Sequence, residues 1–254
     1  MISYNNYNDV SKLERRTECF TIGRQAPDFI ALSTFGYVRL ADYRGKWVIL
    51  VSTPSAFDGV ATTEIINAAE YYDDLIERNA YIIGLTTDNI YANLAWVYDI
   101  YQKAGITIPF PIIADADLAV SELYGMLNPD RLYIETVRDT IIIDPSGRIR
   151  AIIVLPVSTG RNYEELVRIF DSIQVKETYN LNTPAGWEPG DPYLVPNVTS
   201  YEELIYRMNN REELGYYCPF WYLCYTNLDT GNVNNSSPPQ NNNVAQPQGN
   251  NTNS

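Results

Sequence analysis

WVILVSTPSAFDGVATTEIINAAE, residues 47 to 70, contains the fold in miniature. WVILVS is short, rich in Val and Ile and bounded by turn residues, and reads as a buried strand. STPSAFDG is punctuated by Pro and Gly, as a loop is. From Val60 onward Ile65, Ala69, Tyr72 and Ile76 recur at helical spacing, which predicts one helix through Asn79. A strand, a turn and a helix start form the place where an α/β protein usually sets its reactive groups. Yet STPSAFDGVATTE, residues 52 to 64, has neither Cys nor Lys, and its Ser and Thr have no imidazole base because the chain contains no His.

Outward from this stretch the pattern repeats. YIIGLT (81 to 86), DTIIID (139 to 144) and IRAIIVLPV (149 to 157) read as further buried strands. Helices are predicted over 91 to 105, 118 to 125 and 162 to 174. Strands alternating with helices imply an α/β layer fold, and DPSGR between two apolar runs adds a β-hairpin. The sheet should therefore mix parallel and antiparallel strands.

Composition narrows the function. The chain has 254 residues and a net charge of −13, which disfavours a nucleic acid or an anionic membrane surface as partner. No apolar run approaches the roughly 20 residues of a membrane span, and the start MISYNNYNDVSKLERR lacks the apolar stretch of a signal peptide. Cys19, Cys218 and Cys224 are too few for a disulfide scaffold and, without His, for an ordinary zinc site. No metal is expected.

Four segments follow from texture. Residues 1–19 form a polar extension, 20–175 the α/β domain and 176–228 an arm. The arm runs from the Pro- and Gly-rich TPAGWEPGDPYLVPNVT through one helix to the aromatic YYCPFWYLCY, more aromatic surface than it can bury alone. Residues 229–254 are almost wholly Asn, Gln, Pro, Ser, Thr and Gly, the composition of a disordered tail.

Several stretches, in order, resemble the peroxiredoxins, in particular the long subgroup of one-Cys and archaeal thiol peroxidases. They are VRLADYRGKWVILVSTPSAF, IADADLAVSELYGMLNP, DTIIIDPSGRIRAI, STGRNYEEL, TPAGWEPGD and, in the arm, CPFWYLC. The resemblance covers about residues 20 to 226. It implies a thioredoxin-like fold with peroxiredoxin additions and a C-terminal arm domain, a dimer whose arms cross, often a ring of five dimers, and no cofactor. It also implies peroxide reduction by a thiolate whose pKa is lowered by a helix N-terminus and an arginine.

The family's loop reads Pro-x-x-x-Thr-x-x-Cys, usually with a preceding His and a following Thr-Thr-Glu. Pro54, Phe57, Thr62, Thr63 and Glu64 match it. Thr53 stands at the His position, Asp58 at the Thr position, and Ala61 where the peroxidatic Cys would be. The family's two arginines fall on Arg138 and Arg161. Alanine has no nucleophile, so no catalytic set is intact.

The same residues also have plainer readings. Asp58 is either a general base, the N-cap of the helix beginning near Gly59, or a counter-charge to Arg138 in place of the missing thiolate. Arg138 alone reads as a strand-entrance charge in solvent, and Arg161 as a helix-start or interface residue. Asp58 and Glu64 as a glycosidase pair is the least supported of these readings. Cys218 and Cys224 either form a local disulfide, pack as small apolar residues, or react with a partner thiol.

The expectation is a peroxiredoxin-like protein without peroxidase activity, serving as a structural or assembly component of a homo-oligomer. The alternatives are a thiol peroxidase using Cys218 or Cys224, the family activity if Ala61 is an engineered Cys→Ala change, and a sensor using the old pocket around Pro54 and Arg138. Cytoplasmic location is expected, with spore coat or cell surface as the alternative suggested by the tail.

Overall fold

A computed structural model describes residues 21–128 and 135–228; the extension and the tail of the sequence lie outside them. The chain divides into two units at Gln174 and Val175.

The first unit is built on a seven-stranded sheet. Its strands are β1 (Ile30–Ser33), β2 (Gly36–Arg39), β3 (Trp47–Ser52), β4 (Ala80–Thr86), β5 (Ile112–Ala114), β6 (Arg138–Ile143) and β7 (Ile149–Leu155), in the spatial order β2-β1-β5-β4-β3-β6-β7. β3, β4 and β5 are parallel to one another, and the other pairings are antiparallel. All six residues of β3 and of β6 are buried, as strands covered on both faces must be. DPSGR turns β6 into β7, with Gly147 at a φ of 83° where the chain reverses.

The helices are α1 (Gly59–Glu70), α2 (Tyr72–Glu77), α3 (Ile90–Ala104), α4 (Ala119–Leu123), α5 (Tyr163–Tyr179) and α6 (Tyr201–Asn210). On one face of the sheet Ile49, Val51, Ile82 and Ile142 pack with Ala61 and Ile65 of α1, Trp96 and Ile100 of α3, and Leu166 and Phe170 of α5. On the other face Val48, Leu50, Ile83, Leu85, Ile141 and Ile143 pack with Phe29, Val120, Tyr124 and Met126. Because side chains alternate along a strand, Arg138 and Thr140 share the α1 and α5 face with Ile142.

Three local expectations need correction. The single helix expected through Asn79 breaks at Tyr71 into α1 and α2, and Asp73 and Asp74 in the first turn of α2 favour the new N-terminus. The helix expected to end at 174 continues to Tyr179, because no Gly or Pro interrupts VKETY, and it stops at Asn180 with a φ of 54°. Strands β1, β2 and β5 were hidden because each spans at most four residues.

The second unit carries a three-stranded sheet absent from the sequence reading. β9 (Tyr217–Phe220) and β10 (Leu223–Thr226) form a hairpin turned at Trp221 and Tyr222, and β8 (Tyr193–Leu194) joins β10. Val175, Trp187, Val195 and Cys224 are its buried apolar side chains. The Cys218 and Cys224 sulfurs are bonded across the hairpin.

Candidate functional site

The site forms where β3 ends. Thr53 is buried and held by its N–H to the Leu85 carbonyl at 2.8 Å, while Thr136 Oγ1 donates to the Thr53 carbonyl at 2.9 Å. Pro54 follows, also buried, and the Ala56 N–H donates to Asp88 at 2.6 Å. Phe57 takes the left-handed region at φ 60°, unusual for a bulky residue, and reverses the chain into Asp58. Asp58 then caps α1, its Oδ1 accepting from the Ala61 N–H at 2.7 Å.

Arg138, at the start of β6, is fully buried. Its Nε donates to the Val157 carbonyl at 2.8 Å, its Nη1 to Glu64 Oε2 at 2.7 Å and its Nη2 to Asp58 Oδ1 at 2.7 Å. The reading of Arg138 as a solvated strand entrance is therefore corrected: a guanidinium without water must find acceptors inside. Arg161, two residues before α5, donates from its backbone N–H to Glu64 Oε1 at 2.8 Å and from Nη1 to Glu64 Oε2 at 2.9 Å. Its Nε reaches Thr140 Oγ1 at 2.8 Å, and its Nη2 the carbonyls of Ser52 and Asp139.

Two guanidinium groups thus share two carboxylates, and the cluster is neutral. Glu64 lies between both arginines, while Asp58 takes the outer position. Burial opposes ionisation of Asp58, but hydrogen bonds from Arg138 and the Ala61 N–H outweigh it and hold its carboxyl below the ordinary range. Asp58 and Glu64 both accept from Arg138 and so face one guanidinium in place of the two sides of a glycosidic bond, which corrects the glycosidase reading.

Ala61 is completely buried in the apolar cluster with Ile65. The Ala61 N–H and the Arg138 guanidinium both donate to one oxygen, Asp58 Oδ1. Asp58 Oδ1 is thus the shared acceptor of the α1 N-terminus and Arg138. Cys218 and Cys224 belong to the second unit and are bonded to each other. Cys19 lies outside the described residues. No group of ligating side chains able to hold a metal ion occurs among the described residues.

Sequence reasoning missed Thr140, Thr136 and Asp88 as supports of the site. Thr140 left one signal: a hydroxyl with the parity of Arg138 in a strand that ends in three isoleucines.

Known proteins share this fold. Residues 22–152 match the AhpC/TSA family, and residues 172–210 match the C-terminal domain of 1-Cys peroxiredoxin. The chain belongs to the peroxiredoxin family. Peroxiredoxin 2 of Caldanaerobacter subterraneus subsp. tengcongensis is 47% identical over 204 residues, covering 80% of this chain and 91% of that one. A peroxiredoxin of Aquifex aeolicus is 39% identical over 214 residues, covering 80% and 95%. Among solved structures, a yeast mitochondrial 1-Cys peroxiredoxin superimposes with a TM-score of 0.73 at 31% identity, over 81% of this chain and 98% of that one. The fold is thus the thioredoxin-like fold of peroxiredoxins, with a C-terminal extension.

One buried acid beside the site titrates far from its ordinary value. Burial pushes the Asp139 carboxyl from 3.8 up to about 6, the nearby Arg161 opposing, and its Oδ1 has no hydrogen-bond partner among the described residues. Between those values the folded chain keeps a proton that the unfolded chain has released. Asp139 therefore favours the fold most below the window, and that contribution is lost as pH rises through about 6. Asp139→Asn should flatten this dependence and gain up to about 3 kcal/mol at pH 7.5 relative to pH 4. Urea unfolding of both chains at the two pH values checks it, and parallel pH profiles would refute it.

Proposed function

We propose that this peroxiredoxin has lost thiol peroxidase turnover and serves as a structural or assembly component of a homo-oligomer. The observation that carries the reading is the use of the Ala61 N–H and the Arg138 guanidinium by Asp58 Oδ1. A peroxidatic thiolate needs those donors, and the residue at its position offers only a methyl group. A peroxide molecule would meet neither a nucleophile nor a free cation there.

The experiment is peroxide consumption by the unaltered chain with a dithiol reductant. Turnover no faster than free-thiol background supports the reading. Turnover that survives Cys19→Ala but stops with Cys218→Ala would instead establish the enzyme that works through the arm. Turnover that stops with Cys19→Ala would also refute the loss of activity.

Assembly rests on exposed aromatic surface. Phe220, Trp221 and Tyr222 at the hairpin turn each leave more than half of their surface open in the isolated chain. Such a cluster is costly in water and suits a contact between two copies, in keeping with a family of dimers and rings. Light scattering of the full chain should give a dimer or a multiple of it. A monodisperse monomer at micromolar concentration would sink the assembly role. Cytoplasmic location is part of this reading; among the described residues no helix is long and apolar enough to cross a membrane. Spore coat or cell surface is the alternative that the tail composition suggests.

A further inference from the structure

The second unit has a feature that neither the old pocket nor the hairpin turn absorbs. Pro192, Gly215, Tyr217, Tyr225, Thr226 and Asn227 line a groove of about 300 Å³. Tyr217 and Tyr225 are cross-strand partners, and their rings lie 6.4 Å apart at 32°, forming a splayed aromatic floor. Neither hydroxyl has a hydrogen-bond partner among the described residues. No charged side chain lines the groove. At Gly215 a side chain would meet nothing within 4 Å, so that wall is low and the backbone there is approachable.

This chemistry suits one class of ligand. An uncharged segment in polyproline conformation stacks its rings on paired tyrosines and offers carbonyls to their hydroxyls, at little ordering cost because proline is already stiff. The chain carries such a segment in SSPPQ, residues 236 to 240, the one place in the sequence where two prolines adjoin. Its flanks are Asn and Gln without charge, matching the uncharged rim. Asn227 lines the groove itself, and a random coil of the length that separates it from Pro238 would have a root-mean-square reach of about 18 Å. Tethering at that length gives an effective concentration in the millimolar range, enough to populate a weak contact.

We propose that the groove is the docking site of the chain's own Ser236–Gln240 segment. A proline-rich sequence from another protein would compete for the same floor.

The test uses the full chain with its tyrosine rings ¹³C-labelled, the two signals being assigned through Tyr217→Phe and Tyr225→Phe. Replacing Pro238 and Pro239 together by Ala should move both ring signals and leave the fold intact. Adding the peptide NNSSPPQNN to that variant should move them back, and Tyr217→Ala should weaken peptide binding about tenfold, as loss of one aromatic anchor does. The signals of the unaltered chain should persist on tenfold dilution. Three outcomes would each overturn the proposal: ring signals identical in the unaltered and substituted chains, a peptide that leaves them unmoved, or docking that disappears on dilution.

Discussion

Ala61→Cys should react with hydrogen peroxide slowly, and adding Asp58→Thr should speed that reaction at least about tenfold. The reason is geometric. A thiolate at position 61 would stand at the first turn of α1, beside a carboxylate whose Oδ1 already holds the local N–H and Nη2 of Arg138. Like charge disfavours the thiolate and raises the pKa of the thiol, so less of it is reactive at neutral pH. The carboxylate also cannot donate to the departing oxygen. Loss of one such donor typically costs 10²- to 10³-fold in rate. Threonine at 58 still caps the helix, donates through its hydroxyl and releases Arg138. Stopped-flow oxidation with mass detection of the sulfenic acid measures both variants. Equal rates would mean that Asp58 does not hinder the site.

Glu64→Ala should destabilise the first unit by about 3 to 5 kcal/mol, the cost of removing one partner from a buried ion pair. Glu64 accepts from Arg138, from Arg161 Nη1 and from the Arg161 backbone, all in the buried interior. Without it two guanidinium groups would share only Asp58, at the edge of the cluster. The midpoint of thermal unfolding should fall on the order of 10 °C for a unit of this size. Glu64→Gln keeps the shape and one acceptor, and should cost less. A loss below about 1 kcal/mol for Glu64→Ala would show that the arginines turn outward to water, contrary to the described packing.

Much of the first unit could be read directly because its longer strands carry Ile- and Val-rich runs and its helices keep their period. β3 and β6 are legible for that reason, and so is the helix start at Gly59. Short elements escaped, since β5 has three residues and β8 two, too few for alternation to register. Within the site, the residue types at 58, 61, 64, 138 and 161 pointed to one neighbourhood. Their connectivity did not follow from spacing. Positions 64, 138 and 161 are far apart in sequence, and only the pairing of β3 with β6 and the docking of α1 and α5 on one face bring them together. The arm's sheet escaped for a different reason: Pro219 and the crowded aromatics hide a hairpin whose register is irregular.

The neutral cluster also bears on how this chain can change. Asp58→Thr alone strips one negative charge and leaves the buried guanidinium pair with a single counter-ion, whereas Ala61→Cys alone sets a sulfur against a carboxylate that suppresses it. Each single step toward a thiol peroxidase is therefore expected to yield a less stable protein or a slow one, and the pair of steps a faster one. On the proposed reading the electrostatics of the cap hold Asp58 in place, and a single change at position 61 would bring only slow chemistry.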